Sequence, residues 1–106
     1  MSDEFPGLHE ELDQEKSTRL QEPPMYRVLL LNDDYTPMEF VVDILMSVFR
    51  KTEEQATEIM LHVHHQGKGL CGVYSYDVAE TKVATVHSLA EENGHPLRSV
   101  MERDDL

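Results

Sequence analysis

The twelve residues LLLNDDYTPMEF, Leu29 to Phe40, restrict the fold more than any other stretch of this chain. The run that leads into them, MYRVLLLN from Met25, is β-rich and uninterrupted, which predicts a strand buried on at least one face. It ends abruptly on an amide and two carboxylates, Asn32, Asp33 and Asp34. TPME follows at once. Thr36 is placed to be an N-cap, Pro37 sits at the first helical position and Glu39 at the third, which is a capping box with proline where helices favour it. Phe40, Val41, Ile44, Leu45 and Val48 then recur at helical spacing. A strand must therefore turn through a polar corner straight into an amphipathic helix.

The remaining punctuation is similar in kind. TEEQ predicts a second helix start, with Thr52 as cap and Gln55 reaching back. Ala56, Ile59, Met60 and Val63 form its stripe, and Gly67 is the expected terminating residue. GLCGVYSY reads as a second strand, and DVAETKVATVHSLAEENG as a third helix with Ala79, Val83, Val86 and Ala90 inward and Gly94 at its end. HPLRSVME reads as a last strand, with Leu97 and Val100 set among polar residues. Strands and helices do not alternate strictly. The expectation is an α+β domain in the order β-α-α-β-α-β, with a small three-stranded, mainly antiparallel sheet packed on three helices.

Residues 1–24 differ in character. They hold seven acids against two bases and close on Pro23 and Pro24. This predicts a disordered acidic extension with a stiff exit, followed by one domain over 25–106. The net charge of −12 argues against nucleic acid, whose phosphates call for Lys and Arg clusters, and favours basic or cationic partners. Cys71 is the only cysteine. It supports no disulfide, which points to a reducing compartment and a cytoplasmic location, and it is expected in the core. The start has no basic n-region and no apolar h-region, and no apolar run is long enough to span a membrane. A monomer is expected.

Two clusters could carry chemistry. At an extended strand end, Asn32 and Asp34 would point to one side and Asp33 to the other. One reading is a solvated turn with an Asx cap. The other is a polar rim over an apolar hole, formed with Met38 and Val41, as small-ligand sites are commonly built. The second cluster is His62, His64 and His65. His62 and His65 share a helix face, while His64 lies four after Met60 on the semi-apolar stripe. Zinc would call for three or four converging ligands, and no three of these converge, nor is there an HExxH or a cysteine pair. No serine or cysteine stands beside an obvious base, and no glycine-rich loop could cradle phosphate. No catalytic residue, cofactor or enzymatic activity is therefore assigned.

NDDYTPMEFV, MLHVHHQGKGLCGVYSYDVAETKV and GHPL stand in this order and at this spacing. Together they resemble ClpS, the family of adaptors that select N-degron substrates for the bacterial Clp AAA+ protease. The resemblance covers about Pro24 to Glu102. It implies binding of an exposed N-terminal Leu, Phe, Tyr or Trp and delivery to the N-terminal domain of the ClpA ATPase. It further implies that Asn32, Asp33 or Asp34, and His64 hold the α-amino group. Leu31, Thr36, Pro37, Met38, Val41, Met60, Val63 and Leu97 would line the side-chain pocket, with Met38 gating out β-branched residues. Asp77, Glu80 and Lys82 fall where the family docks on its ATPase, although the family often carries the longer Glu at the position of Asp77. Two other readings compete. One is a factor-docking module similar to the C-terminal domain of the ribosomal stalk protein, which lacks the NDDYTPM corner. The other is a small histidine-based metal-binding protein.

Elementary chemistry agrees with the adaptor reading. An N-terminal amine, with a pKa of about 7.7–8.0, is largely a cation at neutral pH. Asn and Asp oxygens and a neutral His64 ring nitrogen can accept from it, at about 1.5–3 kcal/mol per charge-assisted bond. Burying a Leu or Phe side chain adds about 1.5–3 kcal/mol. After association costs the sum is of roughly micromolar strength, weak enough to release cargo. Protonation of His64 in mildly acidic solution would oppose the amine.

Overall fold

The computed structural model describes residues 23–105. Residues 1–22, and with them most of the acidic extension expected to be disordered, lie outside the described residues. Six elements follow one another: strand β1 (Met25–Leu31), helices α1 (Met38–Ser47) and α2 (Glu53–Gln66), strand β2 (Lys68–Ser75), helix α3 (Tyr76–Glu92) and strand β3 (Arg98–Arg103). The order is the β-α-α-β-α-β expected from the sequence. The sheet is antiparallel throughout with β1 in the centre, in the order β2-β1-β3.

Position β1 in the centre follows from its composition, since a strand flanked on both edges needs the most apolar run. Val28 and Leu30 are fully buried and join Ile44, Leu45, Ala56, Val63, Ala79, Val86 and Leu97 in one core cluster. Leu29 is also buried but lies outside that cluster, so it faces away from the helices, level with its cross-strand partners Leu70 and Val100. Cys71 sits in the core at 1% exposure, and burial pushes its thiol up to about 12, opposed by the charge of Lys51. It is a packing residue in its observed surroundings. Among the described residues no helix is long and apolar enough to cross a membrane.

Both ends of α2 and its junction with β2 follow the sequence closely. Thr52 accepts from the Gln55 amide and the Gln55 side chain returns to the Thr52 amide, completing the capping box. Gly67 takes the left-handed conformation at φ 95°, which a side chain would strain. Gly69 matters for a different reason. A Cβ there would lie 2.6 Å from Val63 Cγ2, so only glycine lets α2 settle this closely on β2.

Two local expectations are corrected. Helix α1 begins one residue later than the capping-box reading: Pro37, extended at ψ 144°, is the cap residue, and no side chain caps the helix. Thr36 is drawn away because its hydroxyl and amide both donate to Asp33. In β3 the inward partner of Leu97 is Ser99, at 1% exposure, and not Val100. A period of two puts 97 and 99 on one side. The buried Ser99 hydroxyl is satisfied by donating to the Leu29 carbonyl at 2.8 Å.

Lys82 has an internal role. From α3 its ammonium donates to the Val48 carbonyl at the C-terminal end of α1, at 2.7 Å, and stands 5.4 Å from the centre of the Tyr74 ring. A cation at a helix C-terminus is favoured by the helix dipole. Lys82→Met keeps the alkyl stem and removes the charge. We expect a loss of about 1 kcal/mol, discounted for partial exposure, or roughly 4–8 °C in a domain of this size. Thermal unfolding checks this, and an unchanged Tm would reduce the bond to a surface contact.

Candidate functional site

The site is assembled from four places in the chain. β1 delivers the corner 32–36, α1 delivers its first turn, α2 delivers one face of its second half, and the approach to β3 delivers Leu97. The corner is tied to the end of α2 by the Asn32 amide, which donates to the Gly67 carbonyl at 2.9 Å. That bond brings the histidine end of α2 next to the acidic turn. Met60, Val63 and His64 have i, i+3, i+4 spacing and so share a face. His62 points elsewhere, while the His65 ring stands edge-on to His64 at 5.4 Å.

A cavity of about 190 Å³ lies between these elements. Its polar lining is Asn32, Asp33, Asp34, Thr36 and His64, and its apolar lining is Leu31, Met38, Val41, Met60, Val63 and Leu97. Sites for drug-sized ligands hold about 300–1,000 Å³, so this one is of a size for a guest of a single side chain. Val41, Met60, Val63 and Leu97 are buried, whereas Met38 is 47% exposed at the mouth. All the expected pocket residues are brought together except Pro37, which is exposed outside the lining and offers its carbonyl to the Phe40 and Val41 amides.

The two aspartates differ. Asp33 Oδ1 accepts from the Tyr35 and Thr36 amides at 2.8 and 2.7 Å, and Oδ2 accepts from the Thr36 hydroxyl at 2.7 Å. Its carboxylate is the brace of the turn. Burial pushes its pKa up, but the Thr36 hydroxyl, the two amides and the charge of His95 outweigh this and hold it below the ordinary value. Asp34 is exposed, and no described residue bonds to its carboxylate. His95, the histidine of the GHPL motif, has no role assigned from the sequence: it lies 62 residues from Asp33 and is held by an edge-on contact of 4.5 Å with Phe40.

The lowered pKa fixes how the turn responds to acid. A depressed carboxylate contributes stability above its unfolded pKa, and that contribution is lost as the pH falls through the folded one. The Thr36 amide resonance should therefore hold its position down to about pH 4 and move only below the ordinary carboxylate pKa of ~3.9. A midpoint above that value would show that Asp33 does not carry these bonds.

Among the described residues no group of three His, Cys, Asp or Glu side chains is arranged to hold a metal ion. Asp77 and Glu80 are exposed at the start of α3, with Glu80 accepting from Tyr76 at 3.5 Å. Beside them a more open groove of about 510 Å³ runs between the end of α1 and α3, lined in part by Val48, Asp77, Val78 and Lys82.

Comparison with known proteins converges on one family. The family model of the ATP-dependent Clp protease adaptor protein ClpS matches residues 21–100. The ClpS adapter of Hyphomonas neptunium is 61% identical over 99 residues, which is 93% of this chain and 84% of that protein. That of Caulobacter vibrioides is 55% identical over 98 residues, covering 92% and 90%. The solved structure of Agrobacterium tumefaciens ClpS2 bound to L-phenylalaninamide superposes with a TM-score of 0.76 at 41% identity, covering 77% of this chain and 99% of that one.

Proposed function

This chain belongs to the ClpS family of ATP-dependent Clp protease adaptors, and from that premise we propose that it captures proteins by a free N-terminal residue. The observation that carries the reading is the division of labour at the corner. Asp33 accepts three hydrogen bonds that hold the turn, whereas the Asp34 carboxylate is unengaged at the mouth of a small apolar cavity, with Asn32 and His64 on the same rim. Those acceptors suit an α-ammonium group, and the cavity suits the side chain attached to it. The relative solved with L-phenylalaninamide supports this assignment, because that molecule presents a free amine beside an aromatic side chain. Leu, Phe, Tyr and Trp are the proposed guests.

Delivery to the N-terminal domain of the ClpA ATPase is the second half of the proposal. Asp77 and Glu80 are available for docking, and the groove beside them offers apolar surface. Lys82 contributes chiefly by fixing the end of α1 that forms the groove wall.

The test is fluorescence anisotropy of a short labelled peptide beginning with Leu or Phe, read beside its N-acetylated form and with Asp34→Ala. Binding of about micromolar strength or tighter that disappears on acetylation supports amine capture. Equal binding of both forms would refute it.

A further inference from the structure

We infer that His87 and Ser99 form a positioning pair that holds Leu97 in the pocket wall, with Nε2 of His87 as the acceptor the pair depends on. The inference rests on the peptide-binding reading above for its consequence, though not for its geometry. Leu97 is 3% exposed and lines the cavity, yet it precedes β3 and has no strand pairing of its own. What fixes it is Ser99, two residues on, at 1% exposure. The Ser99 hydroxyl donates to the Leu29 carbonyl at 2.8 Å, anchoring the residue to the central strand. The Ser99 amide cannot bond to β1 as well, because β3 is an edge strand and this amide faces outward. It donates instead to Nε2 of His87 on α3, at 3.0 Å. Ser99 is thereby held from both sides.

An Nε2 that accepts carries no proton, so His87 is in the neutral form with its hydrogen on Nδ1. Taking away that lone pair takes away the acceptor. A part-buried amide is then left without its partner in the fold, which costs stability. The start of β3 must shift, and Leu97 with it. The cavity beside His87 presents three other charged or titratable groups: Glu91 from α3, His95 from the connecting loop and Arg98 from β3. Glu91 and Arg98 are of opposite charge, and neither is bonded to the His87 ring.

The pair can be tested with two substitutions of similar size. His87→Gln keeps a neutral oxygen acceptor within reach, while His87→Leu keeps the bulk and removes the acceptor. Binding of a Phe-starting peptide and the NMR positions of the Ser99 amide and Leu97 methyls are read at pH 7.5. His87→Leu should weaken the peptide at least five-fold at pH 7.5 and shift the Leu97 methyls. His87→Gln should bind within two-fold of the native protein. Unmoved Leu97 methyls in His87→Leu overturn the inference, and so does a Gln variant as impaired as the Leu one. If the native protein binds no peptide, the proposed function fails, but the two sets of resonances still decide the role of His87.

Discussion

A peptide beginning with Leu is expected to lose at least about 100-fold in affinity when its α-amino group is acetylated, and about 10- to 100-fold when Asp34 is replaced by Ala. The two figures have different origins. Acetylation removes the cation and all its donors, so every rim contact goes at once. Asp34→Ala removes one charged acceptor at an exposed position, for which a charge-assisted bond of about 1.5–3 kcal/mol is the appropriate scale. Asn32 and His64 stay in place and keep part of the binding. Asp33→Ala should behave differently from Asp34→Ala, because it takes away three bonds within the turn and none of the free acceptors. Its loss of affinity should be accompanied by displaced Tyr35 and Thr36 amide resonances, whereas Asp34→Ala should leave those resonances where they are. Anisotropy titrations beside a two-dimensional amide spectrum separate the cases. An Asp34 variant that binds like the native protein would move the amine contact to Asn32 and His64 alone.

The contrast between the aspartates shows where sequence reasoning stops. The corner was legible as polar, apolar-flanked and helix-initiating. Which carboxylate does which job was not. An alternation rule puts Asn32 and Asp34 on one side, but it presumes an extended backbone, and β1 ends at Leu31. Beyond that point Asp33 folds back on the next two amides, as short polar side chains do when the helix has not yet begun. The same competition removed Thr36 from its expected capping place. The second helix start shows the complementary case: Thr52 is followed by Glu53 and Glu54, but neither carboxylate bonds to it, and its capping box with Gln55 forms as written.

Elements whose signals are local were therefore readable, including the glycine that ends α2 and the apolar run of β1. Features that depend on distant partners were not. Ser99 is a core position filled by a hydroxyl, and only the Leu29 carbonyl 70 residues earlier makes that acceptable. Lys82 reads as a surface cation until α1 ends beneath it. The pocket wall itself joins residues from 31 to 97. Family resemblance, and not periodicity, assembled that set in advance. The resemblance included Pro37, which the backbone uses to open the helix instead.

Met38 sets the last and most discriminating expectation. It occupies the first position of α1, lines the cavity and is 47% exposed, whereas Met60 lies deeper at 9%. The guest's Cβ must sit close to the rim if its amine is held by Asn32, Asp34 and His64. A Leu or Phe side chain is unbranched at that carbon and would pass beneath Met38. Ile and Val carry a second heavy atom there and are stiff about χ1, so they cannot rotate the extra methyl away. Forcing a methyl into a packed site costs typically about 1–3 kcal/mol. Ile- and Val-starting peptides should thus bind roughly 5- to 150-fold more weakly than the Leu peptide to the native protein. Met38→Ala opens the rim without touching the amine acceptors. It should return about 10-fold of that deficit to the Ile peptide, by relieving the same methyl clash. The Leu peptide should weaken modestly, since it loses the contact of a flexible thioether chain. The diagnostic is a crossing of the two affinities in opposite directions. A loss shared equally by Leu and Ile peptides would mean that Met38 adds only apolar surface, and the discrimination would then have to come from Thr36 and Val41 on the fixed part of the rim.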